Sequence, residues 1–200
     1  FNTMLAAKKK VVLIEGENIV RENYKLIIDS SSQFHVAGAF TNSDSFPWLQ
    51  DIKPDIILVD VVQRTGSVEA IRQIKKGLPK VEILVLSINE DSELVFNALK
   101  NGAIGYVSKV SNRNDVMGAL EETLKGGAPM NTNIARRVIR ELDVHNRAVM
   151  GKKEAEVLVL LSNGNTQSQI AEKLTISRDE VKFVINQIYR ILHTAADASN

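Results

Sequence analysis

Between Val11 and about Gly126 the apolar positions follow two alternating rhythms. Short β-rich runs occur at 11–15 (VVLIE), 34–40 (FHVAGAF), 55–60 (DIILVD), 81–87 (VEILVLS) and 103–107 (AIGYV). Between them Val20, Tyr24 and Ile27 recur at helical spacing, as do Val68, Ile71 and Ile74, then Leu94, Ala98 and Leu99, and then Val116, Leu120 and Leu124. Alternation of this kind predicts five β-α units and an α/β fold, a five-stranded parallel sheet with helices on both faces. Gly126-Gly127 and Pro129 end the block, and residues 131–144 read as a charged linker helix carrying Arg136, Arg137 and Arg140. From about Ala148 the β rhythm stops, and three short helices are predicted near 151–162, 166–174 and 178–192. The predicted units are 9–127, a linker over 128–147, and an all-helical domain over 148–200.

Composition narrows the classes. Twenty-five basic against twenty-four acidic residues leave a formal charge of +1, so no global basic field advertises nucleic acid, and any such binding has to be local. Cysteine is absent, which excludes disulfides and thiolate metal sites. No apolar run approaches the ~18 residues a membrane span needs, and a cytoplasmic protein without membrane contact is expected.

Ligands and chemistry collect beyond the carboxyl ends of parallel strands. The residues ending the first, third, fourth and fifth runs are Glu15, Asp60, Ser87 and Lys109. Right-handed crossovers can bring them to one rim, where a carboxylate nucleophile, a second acid, a hydroxyl and an ammonium would suit phosphoryl transfer to an aspartate. Each also has a plainer reading. Glu15, Glu17 and Asp60 could be turn formers or helix caps, Ser87 could cap the next helix, and Lys109 could be an ordinary exposed lysine. Singly the plainer reading is favoured; it is the four together that point to chemistry.

In this setting residues 11–126 resemble a receiver domain of a two-component response regulator (CheY-like, flavodoxin-like), with KPDIILVD, LVLS and NGAIGYVSK as the matching stretches. The resemblance implies Asp60 as phosphoacceptor, Ser87 and Tyr106 as the switch pair, Lys109 as the phosphate-contacting lysine, and a histidine kinase as partner. It also implies a magnesium ion held by Asp60 and acids at the end of the first strand. There the chain departs from the family pattern of two adjacent acids, having Glu15-Gly16. Magnesium demands near-octahedral oxygen geometry at about 2.1 Å, so losing one carboxylate weakens the site. Glu17 could compensate, but it sits where the chain should already be turning into a helix. The loop VVQRTGS also departs from the pattern, and its Arg64 could pair with Asp60 and hold it ionised without phosphate.

In the last predicted helix Val181, Ile185, Ile188 and Leu192 share a core face, while Lys182, Phe183, Asn186 and Arg190 fall on another. An exposed face of this kind can enter a major groove, Lys182 reaching phosphate or guanine, Asn186 a base edge and Phe183 a thymine methyl. A helical bundle with a merely solvated face is the alternative. Charge does not decide between them. From Ala148 onward Lys152, Lys153, Lys173, Arg178, Lys182 and Arg190 are balanced by Glu154, Glu156, Glu172, Asp179, Glu180 and Asp197.

The stretch from Lys152 to Leu192 is similar nearly end to end to the LuxR-type (FixJ/NarL-type) helix-turn-helix, through Glu154, Glu156-Val157-Leu158, Gly164, Ile170-Ala171, Leu174, Ile176-Ser177 and Val181-Lys182. The resemblance implies double-stranded DNA as partner, a homodimer, and Gln167, Arg178, Lys182, Phe183, Asn186 and Arg190 as DNA contacts. Glu180 stands where a small hydroxyl residue is usual, Phe183-Val184 replaces a more polar pair, and the family's fourth helix, which often serves dimerisation, would begin about at Asn200.

The sequence therefore reads as a DNA-binding transcriptional regulator with an impaired or phosphorylation-independent receiver. Its rivals are a conventional regulator phosphorylated on Asp60 and a protein-interaction module that has lost DNA binding. An independent enzymatic activity has little support, because neither His145 nor His193 has a nucleophile or ligand partner at recognisable spacing.

Overall fold

The computed structural model describes residues 7–41, 46–61, 67–88, 93–145 and 150–197. Five parallel strands, β1 (Lys9–Ile14), β2 (Phe34–Phe40), β3 (Ile56–Asp60), β4 (Glu82–Ser87) and β5 (Gly105–Ser108), lie in the order β2-β1-β3-β4-β5. Val11 to Leu13, Ile57 to Leu58 and Ile83 to Leu86 are fully buried, which is why these runs are continuously apolar rather than alternating. The register sets Ile14 beside Val59, Asp60 beside Leu86 and Ser87 beside Ser108. Glu15, Asp60, Ser87 and Lys109 consequently end at one rim.

Helices α1 (Asn18–Asp29), α2 (Phe46–Ile52), α3 (Ser67–Gly77), α4 (Glu93–Lys100) and α5 (Arg113–Leu124) connect and follow the strands. The helical rhythm gave no sign of α2, a short helix with Leu49 buried and Trp48 exposed. Phe46 and Ile52 also pack against the core, but seven residues are too short a stretch for a clear period. Helix α5 begins at a capping box between Asn112 and Asp115.

The expected linker is α6 (Thr132–His145), and it is more than a charged spacer. Asn131 Oδ1 accepts from the Ile134 N–H at 2.8 Å, and Ile134, Ala135, Val138 and Leu142 are buried. Its polar side reaches α4: Arg137 lies over the Phe96 ring, 4.7 Å from its centre, and pairs with Glu93, while Lys100 pairs with Glu141 at 2.6 Å.

Helices α7 (Lys152–Ser162), α8 (Gln167–Leu174) and α9 (Arg178–Asp197) complete the chain. Thr166 and Gln169 form a capping box that starts α8, and Thr175 ends it in the left-handed conformation at φ 56. The α8-turn-α9 pair is the expected helix-turn-helix, but α9 runs past 192 to Asp197. Its extra turn is held by tertiary packing, with Ala196 buried and His193 bonded to the first domain. A single apolar cluster runs from the sheet through α6 into the core of α7 to α9, where Val181, Ile185, Ile188 and Leu192 sit as their spacing predicted.

Gly105 shows how closely linker and sheet meet. A Cβ there would lie 2.6 Å from Pro129 Cγ and 2.9 Å from Leu84 Cδ2. Gly105→Ala should therefore cost about 1–3 kcal/mol through overpacking, read as a lowered midpoint in urea unfolding.

Candidate functional site

The rim holds a buried ion triad. Lys109 Nζ lies 2.7 Å from Glu15 Oε2 and 2.9 Å from Asp60 Oδ2, with side chains only 6%, 1% and 9% exposed respectively. Local structure fixes each partner. The Lys109 N–H donates to the Ser87 carbonyl at 2.9 Å, extending the β4-β5 ladder by one residue. Arg21 Nη1 donates to the Glu15 carbonyl at 2.8 Å and its Nη2 to Asn18 Oδ1 at 2.7 Å, which clamps the turn after β1. The Tyr24 hydroxyl donates to the Ser108 carbonyl at 3.3 Å, and burial followed by the Glu15 charge pushes its phenol up to about 12.

Titration follows from this packing. Burial raises the Asp60 pKa, the Lys109 hydrogen bond opposes the rise, and the Glu15 charge adds to it; the net shift is upward. For Lys109, burial alone lowers the pKa, and hydrogen bonds to Glu15 and Asp60 outweigh it to give a net rise.

The donor set does not fit magnesium. Glu15 Oε1 accepts the Glu17 N–H at 2.8 Å, its buried Oε2 faces the Lys109 ammonium at 2.7 Å as an ion pair without a well-aligned hydrogen bond, and Gly16 has no side chain to offer. Among the described residues no group of three or more His, Cys, Asp or Glu is placed to hold a metal. The cation among the described residues that lies between the two carboxylates is the Lys109 ammonium.

Several plainer readings are corrected by the same geometry. Lys109 is not an exposed lysine. Ser87 is buried at the end of β4, and the next helix among the described residues, α4, begins at Glu93. Glu17 is at the N-cap of α1, yet its side chain makes no cap hydrogen bond. Arg64 lies outside the described residues. Tyr106, half-buried, donates from its hydroxyl to the Ser87 carbonyl at 3.2 Å, so the anticipated switch residues are joined through backbone.

The expected reading face of α9 is partly exposed and partly covered in this structure. Arg178 is exposed, Phe183 is 60% exposed, and Lys182 is partly covered with Asp179 4.0 Å from its ammonium. Asn186, however, is 8% exposed, and Arg190 donates both to Asn186 Oδ1 at 3.3 Å and to Glu82 Oε1, on β4, at 3.1 Å. Gln167 donates to Glu122 Oε1, on α5, at 2.8 Å. The helical wheel placed these residues away from their own core correctly; a second body, the first domain, covers them. The seam includes the Tyr189 hydroxyl donating to the Pro129 carbonyl at 2.8 Å and His193 Nε2 2.9 Å from the Ala103 carbonyl. Glu180, expected to repel DNA, pairs with Lys153 at 2.5 Å. Glu82, Glu122, Tyr189 and His193 were not singled out as site residues from sequence, because their roles exist only across the seam.

Two outcomes follow. Lys109→Met should destabilise the protein by about 3–5 kcal/mol at neutral pH by stranding two buried carboxylates. Because the Lys109 pKa is raised on folding, its contribution is fully present below the ordinary lysine value and is lost as pH climbs through the folded one. Urea titrations at alkaline pH should show that fall in the unmutated protein and not in the variant. His193 runs the other way. Burial, opposed by the Ala103 hydrogen bond, takes it from 6.5 down to about 4, so its contribution is present above 6.5 and lost as pH falls toward 4. Replacing it with glutamine should flatten that part of the stability profile.

Comparison with known proteins places both halves. The family model of the response regulator receiver domain matches residues 11–121, and that of the bacterial regulatory proteins, luxR family, matches residues 148–198. The transcriptional regulatory protein YxjL of Bacillus subtilis is 30% identical, the match covering 90% of this chain and 88% of that protein. The transcriptional regulatory protein DegU of Brevibacillus brevis is 28% identical over 90% of this chain and 86% of its own. Among solved structures, a LuxR-family two-component response regulator from Aurantimonas sp. SI85-9A1 shares 26% identity and a TM-score of 0.60 over 68% of this chain and 98% of that one. The response regulator RcsB in a DNA complex shares 20% identity and a TM-score of 0.58, covering 97% of this chain and 100% of that one, a likeness of fold. The chain belongs to the two-component response regulators, a transcriptional regulator that joins a receiver to a LuxR-type DNA-binding domain.

Proposed function

We propose that this regulator works through a phosphorylation-independent receiver. The observation that carries the reading is the Lys109 ammonium, 2.7 and 2.9 Å from the Glu15 and Asp60 carboxylates, where a metal ion would have to enter. Asp60 occupies the phosphoacceptor position, with Ser87 and Tyr106 as the switch pair and Lys109 as the cation facing it. In its resting form the ammonium neutralises the acids that magnesium and phosphate would otherwise engage. A partner protein or small ligand, rather than phosphate, then biases the face made by α4 and β5.

The output is DNA. Helix α9, with Arg178, Lys182, Phe183, Asn186 and Arg190, and Gln167 at the start of α8, is the reading element for the major groove of a double-stranded operator. A homodimer would read half-sites about one helical turn apart. The working units are 9–127 for the receiver, 128–147 for the linker and 148–200 for the DNA-binding domain, in line with the family matches at 11–121 and 148–198. Among the described residues no helix is long and apolar enough to cross a membrane, and the family's role in transcription supports a cytoplasmic place of action.

Intact-mass analysis after incubation with a small-molecule phosphodonor and magnesium tests the receiver. No adduct is expected on the unmutated protein. Gly16 has room for a carboxylate, since a Cβ there would meet only the Thr41 carbonyl, at an ordinary 3.6 Å. Glu15→Asp combined with Gly16→Asp should therefore restore magnesium-dependent labelling, abolished again by Asp60→Ala. An adduct on the unmutated protein that Asp60→Ala removes would establish the conventional regulator and its histidine kinase instead.

A further inference from the structure

We propose that the cavity where β5, α5, the linker and α8 meet binds a small organic cation, an amine or guanidine with a compact apolar body, with Glu122 as its counter-charge. The regulatory role given to this site rests on the phosphorylation-independent reading of the receiver.

The cavity has a volume of about 230 Å³. Drug-sized ligands occupy pockets of roughly 300–1,000 Å³, so this space suits a molecule of small-metabolite size. Part of its lining is apolar, from Pro129, Met130 and Ile134, and the rest is Tyr106, Glu122, Asn131 and Gln167. An apolar lining with a few polar groups to fix orientation is the make-up of a small-molecule site.

Charge selects the ligand class. Glu122 is the only charged side chain among the described residues that line the cavity. Its Oε1 accepts from Gln167 Nε2 at 2.8 Å, a neutral donor that aims the carboxylate without neutralising it, and among the described residues no lysine, arginine or histidine pairs with it. The charge is felt nearby: burial, followed by Glu122, raises the phenol of Tyr189, whose hydroxyl bonds the Pro129 carbonyl in the cavity wall. A cationic head gains a charge-assisted hydrogen bond to the carboxylate, and a tyrosine ring in the same lining adds a face that attracts cations. An anion would be repelled, and a neutral molecule gains neither contact. A metal ion is a poor match, because the cavity offers one carboxylate and three of its lining residues are apolar.

The walls are held by the fold. Asn131 caps α6 through the Ile134 N–H at 2.8 Å, the Pro129 carbonyl accepts the Tyr189 hydroxyl at 2.8 Å, and the Glu122 carbonyl accepts the Gly127 N–H at 2.9 Å. Preformed walls leave little ordering to be done on binding.

Position gives binding a consequence. The Tyr106 hydroxyl donates to the Ser87 carbonyl at 3.2 Å, so a cation beside Tyr106 reaches the switch pair from the linker side with no change at Asp60. A ligand that prefers one setting of Tyr106 shifts the receiver by its difference in affinity between the two.

The test uses the full chain labelled with fluorotyrosine, whose three fluorine resonances come from Tyr24, Tyr106 and Tyr189, that of Tyr106 being assigned with Tyr106→Phe. Phenethylamine, isoamylamine and agmatine are titrated without phosphodonor or magnesium, beside phenylethanol and phenylacetate. At least one of the three cations should shift the Tyr106 resonance saturably with a Kd of about 1 mM or below, while Tyr24 stays still and the alcohol and the acid have no effect. Glu122→Gln, whose amide oxygen can still accept from Gln167, should weaken that binding about tenfold, with an unchanged Tyr24 resonance showing that the fold is kept. No saturable shift with any of the cations, equal binding of phenylethanol, or equal affinity in folded Glu122→Gln would overturn the site. Phosphodonor labelling of the same protein separates the two readings. Cation binding beside a phosphoryl adduct on Asp60 keeps the site and removes the phosphorylation-independent reading, whereas neither binding nor adduct removes the site and keeps that reading.

Discussion

One ammonium makes the carboxyl end of this sheet tenable. Glu15 and Asp60 are driven to the same rim by the register of β1 and β3, and both are almost fully buried there. Two uncompensated carboxylates in such a place would cost several kcal/mol each. Lys109 Nζ sits within hydrogen-bonding distance of both, and the β4-β5 ladder that holds its backbone ties the position of the cation to the sheet itself. The direction of the Asp60 shift, upward despite the pairing, shows that burial has the larger hand.

That arrangement decides what the rim can do. A receiver that holds magnesium needs carboxylate oxygens to bind it, and here one Glu15 oxygen accepts the Glu17 N–H while the other, buried, faces the Lys109 ammonium. Arg21 closes the same turn through the Glu15 carbonyl. The same groups that would carry chemistry at this rim thus also hold the ends of β1, β3 and β5 together.

The surfaces that join the two domains are extensive. The linker helix α6 covers α4 through Arg137, Phe96, Glu93, Lys100 and Glu141, while α9 reaches the starts of β4 and β5 through Arg190 and His193. Such a seam mixes exposed ion pairs, each worth little in water, with a few well-buried anchors such as Tyr189.

Much of this was legible in the residue order. Continuous apolar runs announced the buried parallel strands, the helical spacing of Val181, Ile185, Ile188 and Leu192 announced the core of the last domain, and Glu15, Asp60, Ser87 and Lys109 marked the rim. Local rhythm is enough for these because one buried face imposes its period on the chain. Helix α2 escaped because its seven residues, with Phe46, Leu49 and Ile52 toward the core, are too few to show a period, and the last turn of α9 escaped because contacts with the other domain stabilise it. The sequence alone settled which residues could be charged, buried or paired. Which oxygen of Glu15 meets Lys109, and that Arg190 bonds Glu82 while also holding Asn186, were decided by tertiary structure, because a side chain's partner across β4 or α5 lies scores of residues away and no local spacing encodes it.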